Sequence, residues 1–388
     1  MTRAGRFLLV SHDAGGTVPP MLALAEAAVA RGHEVVWLGQ PSIGERALAA
    51  GCRFSPFRDV ADYEALVPIE EQLALAAPLV VGEELGREAL DQASRHGSDL
   101  VVVDANLAGV AAAAESSDVR SAVLLHSMYA TFVNTWFADF WPFLAPGIND
   151  TRKRFGLAAC DSWAEVFAGH DRLVSVVPAV FDAPVADRPA GLRHYGFLVP
   201  TTRRGAQPAH FPGDPGDRGV PSVLVGLSTT YQRQEQLLQA VLDGLGSLEV
   251  SAVASTSGQV DPDGLRCPPS VVLRDHVDHH ALLATTDCMV THAGLGSVAA
   301  ALSQGVPLVC TPMGRDQHLN AQRTAHLGAG IDLGADPGAD TIAAAVRTVL
   351  ADPSYGEAAA RIASVSHRSG GPTAAVTDLE SLLAPTPG

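Results

Sequence analysis

THAGLGSVAAALSQGVPLVCTPMGRDQHLNAQRTAHLGAGID, from Thr291 to Asp332, is the most informative stretch of this chain. A short apolar run ends at Thr291. The glycine-bearing turn His292-Ala293-Gly294-Leu295-Gly296-Ser297 then opens a helix expected over Val298–Gln304. Gly294 and Gly296 let backbone approach a ligand closely, and the first N–H groups of a helix have no intrahelical acceptor. Together with the helix dipole they favour an anion, to which Ser297 adds a hydroxyl and His292 a ring donor. The turn therefore reads as a diphosphate cradle that uses no metal and no lysine. From the glycines alone, an ordinary tight turn with a core histidine would look the same. A second strand ends at Pro312, and Asp316-Gln317 follow in a loop. A carboxylate beside an amide suits sugar hydroxyls, because one accepts hydrogen bonds and the other both accepts and donates.

Outward from this segment the same alternation recurs in both halves of the chain. Short apolar runs without period-two alternation lie at Phe7–Val10, Glu34–Leu38, Asp99–Val103 and Ala122–Leu125. A second set lies at Ser222–Gly226, Val250–Ala254, Val271–Leu273, Cys288–Thr291 and Pro307–Thr311. Strands buried on both faces of a parallel sheet read this way. Ala/Leu-rich helical stretches follow them, such as the one from Pro20 to Arg31 that stops at Gly32. The expected architecture is α/β, with two doubly wound Rossmann-like domains facing a central cleft. We expect an N-terminal domain over 1–205, a Pro/Gly/Arg-rich linker over 206–221 and a C-terminal domain over 222–371. A terminal helix over about 372–384 is expected to pack back on the first domain.

With 388 residues, 47% hydrophobic and 18% charged, the composition is that of a globular protein of about two domains. Lys and Arg number 26 against 42 Asp and Glu, a net charge of −16. Such acidity is a poor match for nucleic acid or an anionic membrane, so neither is expected as a partner. The five cysteines are widely spaced and form no CxxC pair, which fits a reducing cytoplasm. The first apolar run stops at Ser11-His12-Asp13, too short for a signal-peptide core, and no run is long enough for a membrane span. A cytoplasmic protein, monomer or homodimer, is expected.

The pattern HxGxGS, ALxxGVPxxxxPxxxDQxxNA and GxG, running from His292 to Gly330, resembles the nucleotide-sugar signature of family 1 glycosyltransferases, including bacterial enzymes that decorate antibiotics. Upstream, VLVGLSTT, RDHVDHHALL and GGTVPPMLALAEAAVARGHEV resemble further family segments. The resemblance implies a GT-B fold and a metal-independent, inverting transfer from a nucleoside-diphosphate sugar, with no other cofactor. It places Ser228, Thr229, His292, Gly294, Gly296 and Ser297 around the diphosphate. His276 and the Val277 backbone fall at the base, and Asp316 and Gln317 at the sugar.

The chain also departs from the family. The usual catalytic histidine falls, by register, on Thr17, whose hydroxyl is no base near neutral pH. Asp104 matches the carboxylate that normally orients that histidine. His126, at the end of the next apolar run, is the preferred replacement base, with Asp13 in the first loop as a further candidate. His276 stands where a base-stacking aromatic is common. Ala300 stands where plant members place a ribose-binding glutamate, which leans the donor toward a dTDP-sugar over a UDP-sugar, since deoxythymidine lacks the 2′-hydroxyl.

Aromatic residues make up 5% of the chain, yet ten of its aromatic residues fall between Tyr129 and Phe167. Tyr129, Phe132, Trp136 and Phe140 are expected to line the pocket of a hydrophobic, aromatic or polyketide acceptor. Helix-packing core must account for some of the others. The alternatives are a catalytically silent sugar-nucleotide-binding partner of a transferase, which Thr17 keeps open, and a sugar-nucleotide 2-epimerase.

Overall fold

The computed structural model describes residues 4–58, 60, 77–201, 210–211, 219–229 and 233–383. In the first half, seven strands form one parallel sheet: β1 (Arg6–Ser11), β2 (Glu34–Gly39), β3 (Arg53–Pro56), β4 (Leu100–Asp104), β5 (Arg120–Leu125), β6 (Arg172–Ser175) and β7 (Leu192–His194). Their order is β3-β2-β1-β4-β5-β6-β7. Phe7, Leu8, Leu9 and Val10 of β1 are fully buried, as are Val102 and Val103 of β4, because helices cover both sheet faces. That two-sided burial is why these runs are continuously apolar.

In the second half six parallel strands follow: β8 (Ser222–Gly226), β9 (Ser251–Ser255), β10 (Val271–Arg274), β11 (Cys288–Thr291), β12 (Leu308–Cys310) and β13 (Gly330–Asp332). Their order is β10-β9-β8-β11-β12-β13. The order reverses direction between β1 and β4 in one sheet and between β8 and β11 in the other. In open sheets of this kind, ligands bind beyond the carboxyl ends of the strands at such a reversal.

The chain divides into two compact units, Met1–Thr202 with Arg368–Gly388, and Arg203–His367. Of the expected linker, only 210–211 and 219–221 are among the described residues. The terminal helix Gly371–Glu380 groups with the first unit and packs on the helix Val18–Ala30. There Glu380 accepts from Arg31 Nε (2.8 Å) and Nη2 (2.6 Å) and pairs with His33 Nε2 (2.8 Å). Asp378 accepts from the Tyr195 hydroxyl (2.5 Å) and from Arg172 Nη2 (3.2 Å).

Strands β3, β6, β7 and β13 were not anticipated. Each has three or four residues and no more than two consecutive apolar ones, whereas the equally short β10, β11 and β12 carry three. β3, β7 and β13 also lie at sheet edges, where one side needs no apolar cover.

Candidate active site

At the reversal of the first sheet three side chains converge. β1 ends at Ser11, so His12 leaves its carboxyl end; Asp104 is the last residue of β4; His126 follows β5. Because β1, β4 and β5 are neighbours in the sheet, these positions meet. Asp104 Oδ2 accepts from His126 Nδ1 at 3.0 Å, and Oδ1 accepts from the Asn106 N–H at 2.9 Å. His12 Nδ1 stands 3.8 Å from Asp104 Oδ1, beyond hydrogen-bond range, and is buried without a partner. Asp104 is fully buried, His12 5% exposed and His126 9% exposed.

Burial by itself would raise the pKa of Asp104. The facing His126, then His12 and the Asn106 N–H, outweigh it and hold the carboxyl below its ordinary value. Burial lowers the pKa of His12, against the pull of Asp104, so its ring is neutral near pH 7. The tautomer that donates Nδ1–H to Asp104 puts the basic lone pair of His126 on Nε2. Phe132 and Phe137 meet its ring in T-shaped contacts at centroid distances of 5.4 and 5.6 Å. A buried carboxylate orienting an imidazole is the arrangement of a general base.

Thr17 and Asp13 are engaged otherwise. The Thr17 hydroxyl donates to the His12 carbonyl (2.7 Å) and accepts from the Ala14 N–H (3.1 Å), closing the loop after β1. The Asp13 carboxylate is paired with Arg46 (2.5 Å) and accepts from Ser42 (3.1 Å) and the Gly15 N–H (3.0 Å). The carboxylate is thus committed to closing this loop.

The acceptor expectation needs correction at two positions. Tyr129 is 1% exposed and Phe132 fully buried. Phe132 stacks on Phe137 and meets Trp163 and Phe167 edge-on, so it belongs to the core beneath His126. Trp136 and Phe140 are half-buried and pack against each other at 4.8 Å, and Phe143 is exposed.

At the reversal of the second sheet, β11 leads into the turn His292-Ala293-Gly294 and the helix Leu295–Ser303. The glycines do not supply the unusual backbone here. Gly294 has φ −59° as the residue before the helix, whereas Ala293 takes the left-handed φ of 61°. What Gly294 supplies is space, since a Cβ there would run into Nε2 of His292; a Cβ on Gly296 would meet nothing within 4 Å.

His292 is buried in this turn. Its Nδ1 faces the carbonyl of Gly226, the last residue of β8, at 3.4 Å, and only the Nδ1–H form makes that pairing. Burial pushes its pKa down to about 4, so the ring is neutral. Ser228 is buried, its N–H and carbonyl both held by the side chain of Gln234 at 2.9 Å, and Thr229 is exposed beside it. His276 is exposed and Val277 half-buried, in the loop before the helix His279–Leu283. Asp316 directly precedes the helix Gln317–His326. Gln317 is 2% exposed, and its Oε1 accepts from the N–H groups of Met313 (2.8 Å) and Gly314 (3.2 Å), so that oxygen shapes the loop.

Residues 239–382 match the family described as Erythromycin biosynthesis protein CIII-like, C-terminal domain. Over 92% of its length the chain is 28% identical to 4'-demethylrebeccamycin synthase of Lentzea aerocolonigenes, covering 94% of that protein. The calicheamicin glycosyltransferase CalG4 superposes with a TM-score of 0.80 over 98% of both chains, at 22% identity. The glycosyltransferase VinC, solved in complex with DTDP, does so with a TM-score of 0.73 over 97% of this chain and 99% of its own, at 21% identity.

The chain resembles the family 1 glycosyltransferases of GT-B fold. It is a glycosyltransferase of the antibiotic and natural-product type, and the silent-partner and epimerase alternatives are not favoured. In this transferase two residues escaped the sequence reading of the site. His12 was noted only as part of the first loop, and its approach to Asp104 depends on β1 lying beside β4. Asn320 was seen only as a motif letter; its side chain joins the Ala293 turn to Asp316. No helix among the described residues is long and apolar enough to cross a membrane.

Proposed function

We propose that this glycosyltransferase moves a sugar, with inversion, from a dTDP-sugar to a hydrophobic natural-product acceptor, with His126 as the general base. The observation that carries the reading is the 3.0 Å pairing of His126 Nδ1 with the buried Asp104. Asp104 fixes the tautomer and would stabilise the imidazolium that forms when Nε2 takes the acceptor proton.

The diphosphate would lie at the start of the helix Leu295–Ser303, against Ser297 and the turn of His292, Gly294 and Gly296, with Ser228 and Thr229 alongside. The open space over Gly296 supports this, since a phosphate needs close backbone approach there. Charge growing on the leaving diphosphate would be met by N–H groups already in place. An anion beside His292 would also favour its charged form, opposing the effect of burial. His276 and the Val277 backbone would contact the base, and Asp316, with Gln317, the sugar. The dTDP preference rests on Ala300 and on the DTDP bound to VinC. The half-buried pair Trp136 and Phe140 supports an apolar acceptor surface. We read the protein as cytoplasmic.

His126→Ala should lower turnover by about 10²- to 10⁴-fold, the usual worth of a general base, while dTDP affinity stays near wild type. Thr17→Ala should lose less. Steady-state rates with an alcohol acceptor, beside calorimetric titration of dTDP, measure both. Normal turnover by His126→Ala would move the base elsewhere, and tighter binding of UDP than dTDP would overturn the donor assignment.

A further inference from the structure

Asn320 is fully buried, at the end of the first turn of the helix Gln317–His326. Its Nδ2 donates to the carbonyl of Ala293 at 3.0 Å and to Oδ2 of Asp316 at 3.2 Å. One amide group thus spans the two loops that the reading above assigns to the diphosphate and to the sugar. Both loops carry the same backbone anomaly. Ala293 has φ 61° and Arg315, next to Asp316, has φ 57°, left-handed conformations that disfavour residues with side chains. Such conformations persist where surrounding contacts hold them, and Asn320 contacts one of these residues and the neighbour of the other.

Packing does not explain the residue. Its Oδ1 is buried with no hydrogen-bond partner, a cost that a leucine, of the same branched shape, would not carry. What an apolar side chain could not supply is the pair of donations from Nδ2. The side chain has no exposed surface, so it acts through its partners.

We propose that Asn320 is a positioning residue for the donor sugar, its amide holding the Asp316 carboxylate in register with the diphosphate turn at Ala293. The proposal rests on the reading of Asp316 as a sugar-binding group. A carboxylate held this way is aimed before the donor arrives, so less ordering is needed on binding.

The test is the affinity that the sugar adds, taken as the ratio of the Kd of a nucleoside diphosphate to that of its sugar nucleotide. Calorimetric titrations of the full chain would use dTDP-glucose, dTDP-rhamnose and UDP-glucose as probe donors, and dTDP and UDP as the nucleotides. For the donor with the largest ratio on wild type, Asn320→Ala should cut that ratio by about tenfold, as expected for one charge-assisted hydrogen bond. Asp316→Ala should do the same, and the double variant should lose no more than either single one. A general loosening of the fold would weaken nucleotide and sugar nucleotide alike and leave the ratio unchanged.

An unchanged ratio in Asn320→Ala beside a reduced one in Asp316→Ala would overturn the proposal alone, as would strictly additive losses. An unchanged ratio in Asp316→Ala, or no probe donor binding wild type more tightly than its nucleotide, would overturn the reading of Asp316 and the proposal with it. Asn320→Asp supplies a second check. At neutral pH it sets one carboxylate against another. On acidification its protonated form regains an O–H donor, so its ratio should recover toward wild type as the pH falls toward 5.

Discussion

Gly294 and Gly296 lie two residues apart in one turn, and the structure gives them separate tasks. A Cβ on Gly294 collides with the His292 ring, whereas one on Gly296 enters open space in the first turn of a helix. Gly294→Ala should therefore lower both Tm and dTDP affinity, the latter by about tenfold as the ring is displaced. Gly296→Ala should weaken dTDP binding just as much with an unchanged or slightly raised Tm, because alanine favours a helix interior by about 0.5–1 kcal/mol. Paired thermal melts and dTDP titrations separate the two. Tm falling equally in both variants would show that Gly296 is structural. From sequence the two glycines were indistinguishable, since their difference lies in what surrounds a missing Cβ. The same limit hid His12 and Asn320, whose partners Asp104 and Ala293 stand far off or in another loop, so no local spacing encodes either contact.

At the scale of elements, the terminal helix shows how a segment remote in sequence is tied down. The Glu380 side chain is 4% exposed, and hydrogen bonds from Arg31, followed by that of His33, bring its pKa down to about 2. Glu380→Ala leaves Arg31 and the buried His33 without this acceptor. Losing hydrogen bonds to a charged group costs about 2 kcal/mol, or about 4–8 °C in Tm for a unit of this size. Calorimetry of the variant measures it, and a shift under about 1 °C would mean the helix is held by apolar packing alone. The helix was legible in sequence from its composition. No local pattern encodes how it is anchored, because the anchoring bonds join residues at opposite ends of the chain. The short strands β3, β6, β7 and β13 were missed for a related reason: with at most two consecutive apolar residues, each becomes a strand only when a neighbour offers its open edge.

Over the whole molecule, each unit buries neutral histidine. His170 in the first unit and His292 in the second are both pushed by burial from the ordinary 6.5 to about 4. Between these values the unfolded chain binds more protons than the folded one, so stability rises with pH through that window and falls on acidification from about 6.5 to 4. Urea midpoints should thus be lower at pH 5 than at pH 7.5. The difference should shrink in His170→Gln, with no further loss from these groups below pH 4. A midpoint independent of pH over that range would mean that both rings take protons without unfolding.

The chain's own order of residues determined the class of fold, the two doubly wound sheets, most inner strands and the glycine-bearing turn before the helix Leu295–Ser303. It could do so because burial on both faces leaves continuous apolar runs, and a turn that opens a helix is local. The motif from His292 to Gly330 that carries the family resemblance was also legible, since its residues lie within one segment. Only the tertiary structure decided which aromatics are core, as Tyr129 and Phe132 proved to be, and which stay near the surface. It also decided that His292 is neutral, that Asp13 is spent on Arg46, and that Asp104 faces two histidines. Each of these depends on burial or on a neighbour brought close by sheet order, and neither is a property of residues adjacent in sequence.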